Sequence, residues 1–202
     1  MHSSLQSPKG LDIMDGNILY HGADQEWFST AWRRQAGCGP TTAANLLRYA
    51  GSRAGLPYPS RTKTEMQALM EWIWGYVTPG VFGLNSTEQF QQGMERLLRD
   101  IGSPLRCHAL AVPADKGDRP GTDAVAEFLR QAFEADSPVA FLNLDHGALL
   151  NLESWHWVSL IGMEAEPGSL RAEACDNGAR LTLDLGLWLE TTKRRGGFVY
   201  LA

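Results

Sequence analysis

The sequence predicts an α+β fold in which an N-terminal helical layer packs on a C-terminal antiparallel β-sheet. Three observations predict it. Helical periodicity prevails from Pro40 through Phe133, five short strand-like segments separated by turn residues follow, and the order of helices first and strands after is that of an α+β chain. At 202 residues the chain suits one well-cored unit better than two ordinary domains, so residues 1–202 are read as a single domain. Hydrophobic residues make up 44% and charged residues 20%, which excludes disordered, collagenous and coiled-coil chains.

Taken in order, residues 1–34 mix Gly, Asp and aromatics without sustained periodicity. They are expected to form an irregular approach segment docked through Trp27, Phe28 and Trp32. From Pro40, Ala43, Leu46, Leu47 and Ala50 fall at i, i+3, i+4 and i+7, and Gly51 is the expected stop. "SRAGLPYPSR" reads as a loop. Helices follow over Lys63 to Trp74 and Ser86 to Ile101, the second opened by Ser86-Thr87-Glu88-Gln89, which has the form of a capping box. An apolar run from Leu105 to Val112 and a Gly/Asp/Pro loop from Asp115 to Gly121 lead to a helix from about Thr122 that carries Val125, Phe128, Leu129 and Phe133. The strand candidates are "SPVAFLNL", "HWVSLIGM", "SLRAEAC", "ARLTLDL" and "GGFVYLA", with a helical crossover over Leu185 to Thr192 before the last.

The formal net charge of -5 lacks the basic excess that nucleic-acid binding draws on, and Lys193-Arg194-Arg195 reads as a solvated helix end. No window approaches the roughly 18 apolar residues of a membrane span, and "MHSSLQSPKGLDIMDG" holds no segment of signal-peptide type, so a cytoplasmic protein without membrane or nucleic-acid partners is expected. The three cysteines, Cys38, Cys107 and Cys175, form no disulfide framework and are read as reduced thiols.

Cys38 lies between two glycines and just before Pro40, which suits a first helical position because it needs no amide hydrogen there. The partial positive charge of a helix N-terminus favours thiolate over thiol, small neighbours let a substrate carbonyl approach, and the Cys38 amide can help to bind an oxyanion. A thiolate needs a partner that protonates the leaving amine. Of the five histidines, His2 and His21 lie in the irregular start, His108 in an apolar run and His146 in an Asp-His-Gly turn. His156 opens a strand after a polar turn, where its ring can project into a cleft. Asp176, at the end of "SLRAEACD", is placed to orient that ring, with Asn177 as the fallback; "DNG" is also a hairpin signal in its own right. Trp155 and Trp157 flank His156 on the opposite face and are assigned to packing, with cleft lining as the alternative.

"GCGPTTAANLL", "HWVSLIGM" and "ACDNG", in this order and spacing from Gly37 to Asn177, resemble the papain-like cysteine peptidase superfamily, specifically its C39-like branch. The resemblance implies a papain-like fold, Cys38 as nucleophile, His156 as base and Asp176 as its orienter, with a peptide or amide substrate and no cofactor or metal. The family usually carries a Gln about six residues before the nucleophile; that position here is Trp32, and Gln35 is the candidate oxyanion donor. A hydrolase acting through a thioester is the leading expectation. The alternatives are an amine or thiol acyltransferase of the transglutaminase or phytochelatin-synthase type and a papain-like binding module without catalysis. Metal binding through Cys107-His108 with Cys175 or His146 lacks the paired short spacings of zinc sites.

Overall fold

A computed structural model describes residues 1–56 and 61–202, and among these it holds six α-helices and nine strands. The helices are α1 (Ala31–Ala36), α2 (Cys38–Arg53), α3 (Lys63–Ile73), α4 (Thr87–Asp100), α5 (Thr122–Glu134) and α6 (Leu185–Thr191). The strands are β1 (His2–Ser4), β2 (Asp12–Asp15), β3 (Ile18–His21), β4 (Cys107–Val112), β5 (Val139–Asn143), β6 (His156–Glu166), β7 (Ser169–Asp176), β8 (Ala179–Asp184) and β9 (Gly196–Leu201). Seven of them form one antiparallel sheet in the order β4-β9-β5-β6-β7-β8, and β1 adds to the far half of β6 opposite Gly162 to Glu164.

Strand β5 shows how the sheet divides the core. Side chains alternate across a strand, and Ala140 and Leu142 join Leu46, Leu47, Met66, Met70, Phe90 and Trp157 on the side of α2, α3 and α4. Val139 and Phe141 join Val125, Leu129, Phe133, Leu185 and Trp188 on the side of α5 and α6. The expected single helical layer is therefore half of the arrangement. Helices cover both faces, which is why β5, β6 and β9 are apolar almost throughout and read as continuous runs.

The start of the chain is more ordered than its composition suggests. β2 and β3 form a hairpin of their own, β1 belongs to the main sheet, and residues 1–34 are no irregular approach segment. Short strands with few apolar residues leave little periodicity to detect. Trp27 and Phe28 are buried as expected, whereas Trp32 is 48% exposed.

Helix α2 passes through Gly51 and ends at Arg53. The left-handed residue that stops it is Gly55, at φ +74°, with the Leu56 amide donating to the Gly51 carbonyl at 2.8 Å. Of the loop expected over Ser52 to Arg61, residues 57–60 lie outside the described residues. A reciprocal capping box occurs at Thr62 and Glu65 of α3. At α4 only half of the expected box forms: Ser86 Oγ accepts the Gln89 amide, and the Gln89 side chain turns to the amide of Asn85. No described helix is long and apolar enough to cross a membrane.

Candidate active site

Helix α2 begins at Cys38, with Gly37 as its N-cap and Pro40 at the third helical position rather than the first. Pro40 still fits, because amides of the first turn have no partner within the helix. Gly37 has no side chain with which to cap that turn, so Cys38 and Gly39 supply its available amides.

The two glycines serve packing rather than open approach. Both are buried; a Cβ on Gly37 would lie 2.6 Å from the Phe28 ring, and one on Gly39 would lie 2.7 Å from a Leu84 methyl. Phe28 and Leu84 occupy the space that side chains would need. These contacts lock the turn that carries Cys38, and Cys38 itself stays half-buried at the surface.

His156 and Asp176 reach the same place from the ends of neighbouring strands. β6 and β7 pair Ser159 with Cys175, and continuing that register by one residue sets Asp176 opposite Val158, diagonal to His156. The hairpin β7–β8 closes on a two-residue turn in which Asn177 and Gly178 both have positive φ, 43° and 75°. This is the type I′ geometry that Asn-Gly favours. The turn aims the Asp176 carboxylate back at β6, where His156 Nε2 donates to Asp176 Oδ1 at 2.7 Å. A carboxylate only accepts, so the bond places a proton on Nε2 and leaves Nδ1 outside it.

The His156 ring is 6% exposed. Burial alone would lower its pKa. Hydrogen bonds to Asp176 and to the Cys38 thiol, together with the electrostatic pull of both groups, outweigh burial and raise it to about 10. At neutral pH an imidazolium therefore stands beside Cys38. His156 is the histidine that neighbours this cysteine.

Two further residues shape the start of the strand that carries the ring. Asn143, buried opposite His156 on β5, donates through Nδ2 to the Glu153 carbonyl at 2.6 Å and accepts from the Trp188 indole. Trp155 has φ 61°, unusual for a bulky residue, and its carbonyl lies 4.0 Å from Cys38 Sγ. That left-handed step breaks the alternation just before His156 and sends the Trp155 ring outward, 45% exposed, while Trp157 is buried and stacks on Phe90. The two tryptophans thus divide, one lining the cleft and the other packing. The signals available for the missed residues were slight: a lone polar Asn143 ending an apolar strand, and a Trp in a polar turn.

Cys38 opens into a cleft of about 190 Å³ lined by Trp32, Gln35, Phe82, Leu144 and Trp155 among others. Gln35 sits on the exposed face of α1, in the same cleft as the thiol. Asn177 is turned away from the ring, and its side-chain oxygen accepts from the Gln25 amide. The cysteines of the imagined metal set are separated: Cys107 lies on β4 and Cys175 on β7, with β9, β5 and β6 between them. Burial pushes both thiols up to about 12.

No family model matches the chain, and a search of curated proteins gave no match either. The site geometry accordingly carries the functional argument.

Proposed function

We propose that the protein is a cysteine-dependent hydrolase of peptide or amide bonds, with a papain-like fold of the C39-like type. One observation carries the proposal: His156 Nε2 bonds to Asp176, and Cys38 is near enough to the same ring to raise its pKa. A buried imidazole held between a carboxylate and a surface thiol at a helix start has few structural reasons to exist, and it is the arrangement that acyl transfer needs.

In this reading Cys38 Sγ, as thiolate, attacks the carbonyl carbon and forms a C–S bond, and the negative charge moves to the carbonyl oxygen. The Cys38 and Gly39 amides at the start of α2 are candidate donors to that oxyanion, and the Gln35 side chain is the third. The imidazolium gives its proton to the nitrogen of the leaving amine, the C–N bond breaks, and a thioester remains. Water then attacks the thioester and yields its proton to His156. The C–S bond breaks, and the acid leaves. Asp176 keeps the ring in one tautomer and stabilises its cationic form through both halves.

The test is acylation by p-nitrophenyl acetate, which needs no specificity subsite. The proposal expects a nitrophenolate burst of about one equivalent, an acetyl group on Cys38 by mass spectrometry, loss of both in Cys38→Ser, and release of the acetyl group by water. Release by hydroxylamine but not by water would shift the reading to an acyltransferase. A burst that survives in Cys38→Ser would overturn it.

A further inference from the structure

The walls of the Cys38 cleft carry large apolar side chains that no part of the described chain covers. Val81 and Phe82 are 88% and 74% exposed, and Trp32 and Trp155 are 48% and 45% exposed. Exposed apolar surface gathered in one concave place is a contact surface. Val81 and Phe82 are also held out rigidly. They form the tip of a two-residue turn in which Gly80 and Gly83 exchange both main-chain hydrogen bonds, at 3.2 and 3.0 Å, with Gly83 at φ +67°.

A second feature stands on the rim. The Arg194 guanidinium lies over the Trp155 ring at 5.3 Å, and Arg195 donates to Asn85 beside Leu84 at 3.0 Å. Both arginines are exposed, and neither has a carboxylate partner among the described residues. On the opposite flank Arg33 and Arg34 pair with Glu71 and Glu26. Asp145 and Glu153, like the two arginines, stand outside the lining of the cleft, and the Asp145 carboxylate is taken by the amides of Gly147 and Lys193. In a chain of net charge -5, two arginines without carboxylate partners stand beside this cleft, at Trp155 and Asn85.

Resting on the proposed use of Cys38 as nucleophile, we infer that the cleft takes a substrate with a bulky apolar side chain, gripped by Phe82, Trp32 and Trp155, and with an anionic group next to it that meets Arg194 and Arg195. The apolar walls supply the contact area. The arginines select charge, and the planar guanidinium suits a carboxylate. The run Lys193-Arg194-Arg195 is thereby more than a solvated helix end.

Three electrophiles that alkylate thiols by displacing chloride separate the parts: chloroacetamide, N-chloroacetyl-L-phenylalaninamide and N-chloroacetyl-L-phenylalanine, compared by their second-order rates at Cys38 near pH 7. The expected order rises along that series, with the last at least about tenfold above the first, a difference of about 1.4 kcal/mol. Phe82→Ser should erase the gain of both phenylalanine probes. Arg194→Gln should erase only the advantage of the acid over the amide, and Arg99→Gln, on α4, should leave the ratios intact. Equal rates for all three probes, with Cys38 still the preferred thiol, would overturn the subsite and leave the nucleophile standing. An amide as fast as the acid would overturn the anionic part. Failure of chloroacetamide to prefer Cys38 over Cys107 and Cys175 would overturn the nucleophile and the subsite together.

Discussion

His156 and Asp176 meet at 2.7 Å across the ends of two neighbouring strands, and a type I′ turn just past Asp176 sets the direction of the carboxylate. The bond depends on the side chain of Asp176, while the turn depends on Asn177 and Gly178. Asp176→Ala is expected to slow acylation of Cys38 by about 10²-fold or more and to leave the circular dichroism spectrum unchanged. Asn177→Gly, which the turn accommodates, is expected to keep the rate. Equal losses in both variants would mean that the turn matters and the carboxylate does not.

The glycines beside Cys38 give a stability prediction. Gly37→Ala would drive a Cβ into the Arg33 carbonyl oxygen and to 2.6 Å from the Phe28 ring, and overpacking of this kind costs about 1–3 kcal/mol. Trp157→Ala, which removes a buried ring stacked on Phe90 at 4.6 Å, is expected to cost about 3–5 kcal/mol. Urea unfolding measures both. A Gly37→Ala protein as stable as the parent would contradict the packing role assigned to that glycine.

Much of this was legible in the sequence, and the misses have physical causes. Helix α2 and the strands β5 to β9 are set by patterns within single segments, and "DNG" names its own turn, so these elements and the positions of Cys38, His156 and Asp176 could be read in advance. Strand β1 is held by a partner far away in sequence, Gly162 to Glu164, and the β2–β3 hairpin, though local, has only four residues a side, too few to show a period. In the sequence, the glycines around Cys38 suggest room for substrate. Their real neighbours, Phe28 and Leu84, come from segments whose approach no local pattern announces. The split between Trp155 and Trp157 likewise depends on one positive φ, which a bulky residue seldom adopts and a sequence does not show.

The protonation of His156 links the site to stability. Its pKa in the folded protein is about 10 against an ordinary 6.5, so the folded state holds this proton more tightly than the unfolded chain. The resulting stabilisation is fully present below about pH 6.5 and is lost as pH rises through about 10. The difference in unfolding free energy between the parent and His156→Gln is therefore expected to shrink steadily across that window. A difference that stays constant with pH would show that the ring gains no proton affinity on folding.

Cys38 is set apart from Cys107 and Cys175 by its neighbour His156. Iodoacetamide labelling at about pH 6, with each cysteine quantified by peptide mass spectrometry, tests it directly. Cys38 is expected to be alkylated far faster than Cys107 and Cys175, whose thiols burial pushes up to about 12. His156→Ala is expected to remove most of that advantage while Cys38 remains as exposed as before. Slow labelling of Cys38 in the parent protein, or fast labelling that persists unchanged in His156→Ala, would contradict it.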